Sequence, residues 1–204
     1  MPDIYAPCHI AGGMTAYGFE NDPKRIGFQC ARYKVVAKLL EGKRHVLEVG
    51  CADGFGARIV RQHVALVDAV DRDPEAIWQA ILNGSPRWPI AFQTHNILDG
   101  PRTGYDAAYC LDLFEHIPPI DEDKLLANLC ACAPVCIIGT PSLESQAYAS
   151  EISRAGHVNC VTKGGLRERM QRHWSQVFML GMNDETLHVG HDGMTHYLFG
   201  IGVA

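Results

Sequence analysis

The segment His45-Val46-Leu47-Glu48-Val49-Gly50-Cys51-Ala52-Asp53-Gly54-Phe55-Gly56 decides the fold. Its first five residues carry Val46, Leu47 and Val49 rather than a strict alternation, the pattern of a strand buried on both faces of a parallel sheet. Three glycines then punctuate a turn that opens a helix over about 57–63. Glycine lets a backbone approach a ligand closely, and the first amides of the helix point at whatever that ligand presents. The spacing is acid-x-Gly-x-x-x-Gly-x-Gly, which is neither a dinucleotide fingerprint nor a phosphate loop ending in Lys-Ser/Thr.

Working outward, an amphipathic segment over about 23–41 (Ile26, Phe28, Val35, Val36, Leu39, Leu40) stops at Gly42, where a left-handed cap is cheap. Downstream, strands are expected over 65–70, 90–94, 105–111 and 135–139, with helices starting near Pro74 and spanning 121–132. The polar stretch 140–159 exceeds an ordinary connection, and such loops usually shape a site. After a helix over 163–173, two β-type runs, 176–182 and 196–203, read as an antiparallel hairpin at the sheet's edge. The expectation is an α/β chain: a seven-stranded, mostly parallel sheet with an antiparallel last strand and helices on both faces. It forms one domain over 1–204, with a cap segment and helix over 1–43 and a substrate-side loop over 140–160.

At 204 residues, 47% hydrophobic and 20% charged, the chain can bury a core of its own. Eighteen basic against 23 acidic side chains give a net charge of −5, with no like-charged run, which disfavours a nucleic-acid partner. No stretch nears the ~18 apolar residues of a membrane helix. The start lacks the basic and apolar regions of a secretion signal, so a cytoplasmic protein is expected. Several of the eight cysteines sit in apolar runs, as buried thiols do; Cys130, Cys132 and Cys136 lack the paired spacing of a zinc site.

Asp71 follows Gly50 by 21 residues at the end of the second strand, where a carboxylate can accept both hydroxyls of a ribose. At the end of the third strand, the amide oxygen of Asn96 could take the exocyclic amine of an adenine, with the N–H of Ile97 facing a ring nitrogen. With its element order, the chain resembles the class I S-adenosylmethionine (SAM) dependent methyltransferases over nearly its whole length. The resemblance implies a methionine moiety over the glycine turn and a ribose on Asp71. The cofactor-binding set is then Glu48, Gly50, Cys51, Gly54, Asp71, Arg72, Asn96, Ile97 and Leu111. Two departures stand out: Ala52 replaces a middle glycine, and Asn96 a common Asp.

After the fourth strand come Leu111-Asp112-Leu113-Phe114-Glu115-His116, beside the expected sulfonium. An alcohol or phenol must lose its proton as it attacks, which calls for a general base or a metal. Asp112, Glu115 and His116 place two oxygens and a nitrogen within one turn, a set suited to Mg²⁺, Mn²⁺ or Zn²⁺. His157 lies five residues before Thr162. The pattern resembles small-RNA 2′-O-methyltransferases and some ubiquinone-pathway O-methyltransferases, which carry Glu-x-x-Glu-His here. It implies a divalent ion on Asp112, Glu115, His116 and His157. A metal-free role for Glu115, His116 and His157 as catalytic groups, or a structural Glu-His, stays open. An RNA substrate is disfavoured by the charge.

Candidates to enclose an acceptor are His9, Tyr17, Phe19, Arg32 and Tyr33 from the N-terminal segment and Ser142, Glu144, Gln146, Tyr148 and His157 from the later loop. Arg32 or Tyr33 could reach a SAM carboxylate, although arginines of an amphipathic helix more often face water. The expected activity is methyl transfer from SAM to a hydroxyl of a small-molecule or glycan acceptor. The alternatives are N-methylation of a small amine or protein side chain, and a non-catalytic SAM-binding module.

Overall fold

A computed structural model describes residues 11–204. Eight strands form one sheet: β1 (His45–Val49), β2 (Leu66–Asp71), β3 (Ala91–Thr94), β4 (Ala107–Leu111), β5 (Val135–Pro141), β6 (Gln176–Asn183), β7 (Thr186–His188) and β8 (Tyr197–Val203). Their order is β3-β2-β1-β4-β5-β8-β6-β7. The first five pair in parallel, and β8 runs antiparallel to both β5 and β6. The α-helices among the described residues are α1 (Gly13–Asn21), α2 (Pro23–Leu39), α3 (Ala57–Arg61), α4 (Pro74–Leu82), α5 (Glu122–Cys132), α6 (Glu151–Gly156) and α7 (Lys163–Met170). No helix among the described residues is long and apolar enough to cross a membrane.

The central strands are buried on both faces, as their continuous apolar runs require; every residue of β4 is buried. One core lies where Leu125, Leu129, Leu166 and Met170 of α5 and α7 meet Leu47, Cys110 and Ile138. The other lies where Val35, Val36 and Val60 of α2 and α3 meet Val46, Tyr109 and Ile137. Local signals set the helix starts. Pro23 and Pro74 stand in first turns, Asp73 accepts the Glu75 N–H at 2.9 Å, and Thr162 accepts that of Gly165 at 3.1 Å.

Three expectations are corrected. The sheet has eight strands rather than seven, because Thr186–His188, which lies between the two expected C-terminal runs, pairs with β6. Three residues carry too little apolar pattern to register, and the pairing depends on Asp184 holding a left-handed φ of 50°. The two C-terminal runs do pair, but not as an edge hairpin: β8 inserts between β5 and β6, and β7 takes the edge. The stretch 140–160 is not bare loop, since β5 extends to Pro141 and a 3₁₀ turn over Glu144–Tyr148 precedes α6. Helix α1 was not expected at all.

Candidate active site

The parallel strands deliver their carboxyl ends to one side of the sheet, where open α/β folds bind ligands. Gly50 and Gly54 have φ of 80° and 72°, the left-handed region that costs glycine nothing. A Cβ on Gly54 would also lie 2.6 Å from the Phe92 ring, so the turn is packed too tightly for any side chain there. Ala52, the residue in place of a glycine, keeps the turn by adopting φ 48° itself. Its N–H donates to Asp71 Oδ2 at 2.9 Å, while Asp73 N–H donates to Oδ1 at 2.9 Å. The Asp71 carboxylate is thereby held rigid, and each of its oxygens keeps a lone pair for a ribose hydroxyl.

A cavity of about 320 Å³ opens over this turn, bordered by Gly50, Ala52, Asp71, Arg72, Asn96 and Ile97. The Asn96 side chain caps the 3₁₀ turn after β3, accepting the Leu98 N–H at 3.1 Å, and it too keeps an oxygen lone pair. These donors and acceptors fit a nucleoside. A second cavity of about 430 Å³ lies under α1, bordered by Met14, Tyr17, Tyr33, Cys51, Ala52 and Gly56. Glu48, Gly54 and Leu111, expected beside the cofactor, border none of these spaces; Gly54 is turned against Phe92 and Ala80. Glu48 is buried behind the turn, where it accepts the hydroxyls of Tyr33 at 2.7 Å and Tyr109 at 2.9 Å. Burial pushes its carboxyl up to about 7, against the lowering effect of the two tyrosines. Leu111 is a core residue of β4.

A third cavity of about 300 Å³, where an acceptor is expected, lies between α2, the turn after β4, the 140–160 segment and the start of β8. Asp112 and His116 border both this space and the nucleoside cavity, so the two meet at the end of β4. The later loop is fastened there by its backbone: Val158 and Asn159 N–H both donate to the Glu115 carbonyl, at 2.8 and 3.0 Å. Asn159 Nδ2 also donates to Glu122 Oε2 at 3.0 Å. That anchoring brings His157 against His116, ring centroids 5.1 Å apart.

The proton positions follow from the partners. His116 Nδ1 lies 2.8 Å from the Gly156 carbonyl, an acceptor only, so Nδ1 carries the hydrogen. Gln146 Nε2 donates to the Ser142 carbonyl at 3.1 Å, which turns its Oε1 to accept from His157 Nδ1 at 2.9 Å. Nε2 of each ring is thus left without a hydrogen-bond partner among the described residues. Burial, and then the neighbouring His116, lower the His157 pKa, so the ring stays neutral and able to take a proton at neutral pH. Glu115 is buried and accepts the Thr140 hydroxyl at 2.9 Å. Burial and, second, the Asp112 carboxylate raise its pKa to about 8.

One donor atom each from Glu115, His116 and His157 lie within 4.8 Å of one another, a set that could hold a divalent ion. Asp112 does not join them. It sits at φ 53° just past β4, and Arg32 Nη1 binds both its oxygens, at 2.8 and 2.9 Å. Burial, the largest influence, acts to lower the Arg32 pKa, but Asp112, together with Tyr197 and Glu115, leaves it raised. Arg32 is therefore turned largely inward, and neither it nor Tyr33, bonded to Glu48, is free for a SAM carboxylate. Gln146, Tyr148 and His157 border the acceptor space, Tyr17 the cavity under α1, and Phe19, Ser142 and Glu144 none of the three. His9 and Cys8 lie outside the described residues. Sequence reasoning missed Met14, Arg25 and Tyr197, which belong to elements with no motif of their own.

Comparisons with known proteins identify the family and the fold. Residues 24–176 match the model of a methyltransferase domain. Ubiquinone biosynthesis O-methyltransferases from strains of Coxiella burnetii are 30% identical over 96 residues, 45% of this chain. The chain spans about 39% of the length of those relatives. Among solved structures, the methyltransferase domain of bacterial CtHen1-C superposes with a TM-score of 0.72 at 15% identity, covering 86% of this chain and 98% of that one. Magnesium protoporphyrin IX methyltransferase from Synechocystis PCC 6803, bound to S-adenosylhomocysteine (SAH), gives 0.64 at 17% identity, covering 87% and 84%. The chain belongs to the methyltransferase domain family and has the class I, SAM-dependent fold.

Proposed function

We propose that the protein transfers a methyl group from SAM to a hydroxyl of a small, oxygen-rich acceptor, with His116 and His157 receiving the displaced proton. The observation that carries this reading is the pair of imidazoles, each with Nδ1–H committed to a carbonyl-type oxygen and Nε2 free. They stand beside the boundary shared by the nucleoside and acceptor cavities. SAM supplies a methyl already activated by a sulfonium, so the chain has to align the nucleophile, exclude water and accept a proton. Asp71 and Asn96 hold the nucleoside, and Gln146 and Gly156 orient the two rings. The hydroxyl oxygen forms the new C–O bond as the C–S bond breaks, and its proton passes to Nε2. A cavity of about 300 Å³ suits a small molecule or the tip of a glycan better than a polymer.

A second reading uses the same atoms. Glu115, His116 and His157 would hold a divalent ion, which would lower the pKa of a hydroxyl beside it. The test is transfer of labelled methyl from SAM to a panel of hydroxylated compounds, before and after exhaustive chelation. The metal-free reading expects full activity after chelation. It also expects a loss of about 10²–10⁴ in kcat for His157→Asn, the usual worth of a general base, with SAH affinity unchanged. Activity that chelation removes and Mn²⁺ or Zn²⁺ restores supports the ion. Undiminished turnover in His116→Asn/His157→Asn refutes both.

A further inference from the structure

Tyr197, the first residue of β8, is 2% exposed, and its hydroxyl is buried without a hydrogen-bond partner among the described residues. Such groups are rare because burial strips their hydration with nothing in exchange. Three other side-chain atoms share that condition, on Glu144, Trp174 and His188, but only Tyr197 borders the acceptor cavity. Its position follows from topology. Because β8 runs against β5, its first residue lies opposite Pro141, level with the carboxyl ends of the parallel strands.

The ring is fixed from several sides. The Arg32 guanidinium stacks 3.9 Å from its centroid and is itself held by Asp112. Phe199 meets it edge-on at 5.2 Å. A Cβ at position 139 would stand 2.7 Å from the Tyr197 oxygen, so Gly139 leaves the room in which this hydroxyl sits. Burial, then the nearby Asp112 charge, hold the phenol well above its usual pKa against the lowering effect of Arg32, and it stays protonated; the Asp112 N–H, also near the hydroxyl, donates instead to the Gly139 carbonyl at 3.0 Å.

We propose that Tyr197 Oη–H donates a hydrogen bond to the acceptor, at an oxygen other than the one that receives the methyl. The reacting oxygen commits a lone pair to the methyl carbon and its proton to an imidazole, and a donor on it would withdraw the electrons it attacks with. The acceptor class is therefore dioxygenated: a hydroxyl with a second hydroxyl, ether or carbonyl oxygen nearby. This rests on the hydroxyl-methylating reading of the site. Tyr197 then acts as the residue that selects such acceptors, since a site built to hydrogen-bond an oxygen rejects the analogue that lacks it.

The test compares the wild type with Tyr197→Phe on two pairs of probes, catechol against phenol and cis-1,2-cyclohexanediol against cyclohexanol. Thermal unfolding without any acceptor runs alongside. The wild type is expected to favour the dioxygenated member of a pair by at least about tenfold in kcat/KM, and the variant to lose that preference. KM should rise about tenfold with kcat within threefold and SAH affinity unchanged, a split that general loosening of the site would not give. The unfolding temperature of the variant should equal or exceed that of the wild type, because no protein bond is lost. A fall of several degrees, or wild-type KM values in the variant, overturns the proposal. If the wild type methylates none of the four, the reading of the site is what suffers, and the unfolding temperature alone then decides the role of the hydroxyl.

Discussion

Glu48 shows how a single carboxylate in an apolar strand can be read two ways. From the sequence it stands two residues before Gly50 and belongs with the cofactor; in the structure it is 1% exposed and bonded to two tyrosines. What decides is where Tyr33 and Tyr109 come to lie, and no local pattern encodes that. Asp71 and Asn96 were legible as strand-end residues, because the strand pattern fixes which end of the sheet they reach, and both border the cavity over the glycine turn. The consequence of burying Glu48 is a stability term. Its pKa rises from 4.5 to about 7 on folding, so between those values the folded state holds more of the proton than the unfolded one. Stability from this group is complete below pH 4.5, declines as pH rises through 7, and is flat above. At one pKa unit per ~1.4 kcal/mol, the decline amounts to about 3 kcal/mol. Glu48→Gln, whose amide can accept from one tyrosine and donate to the other, should abolish that slope and be the more stable protein at pH 8. Urea titrations of both proteins from pH 4.5 to 8 measure it; parallel curves would show that the carboxyl is not the source.

Helix α1 illustrates what an element needs before a sequence discloses it. Its nine residues, Gly13–Asn21, include two glycines, and Thr15 is the only one buried. Neither propensity nor an apolar stripe marks it. An isolated helix this short is marginal in water, so its order must come from tertiary bonds. They are visible: Thr15 N–H and Oγ1 both donate to the Asp53 carboxylate at 2.8 Å, and Gly13 N–H donates to Gln79 Oε1 at 2.6 Å. Asp53 belongs to the glycine turn, so the turn that shapes the cofactor cavity also holds its cover. By contrast α2 was legible to within two residues, because it carries a proline start, a buried stripe and Gly42 beyond its end at φ 83°. Asp53→Ala removes two charge-assisted bonds, each worth about 1.5–3 kcal/mol. Amide exchange across residues 13–21 is expected to accelerate at least tenfold while that of β1 stays as it was. Retained protection in α1 would mean that packing, rather than Asp53, keeps it in place.

The alternation of strands and helices announced a parallel sheet, yet the position of the last strand was beyond local reading. Whether β8 pairs with β6 alone or also with β5 depends on which neighbour has an edge free when the sheet closes, a property of the assembled chain. The insertion bears on the site: it brings Tyr197 to the border of the cavity that His116 and His157 also line. It also makes the C-terminus structural. Seven residues of β8 pair with β5 on one side and with β6 on the other, and Leu198 and Phe199 are fully buried. Removing β8 would open a central gap and leave both neighbours with unpaired ladders, a loss far beyond the 5–15 kcal/mol that holds a domain together. Edge strand β7 is the opposite case: three residues long, with Leu187 40% exposed. A chain ended at Thr195 should therefore give no cooperative thermal transition by circular dichroism, whereas Leu187→Asp should melt within about 3 °C of the wild type. A sharp transition in the shortened chain would mean that β5 and β6 can close on each other, and that the eight-stranded order is not what stabilises the molecule.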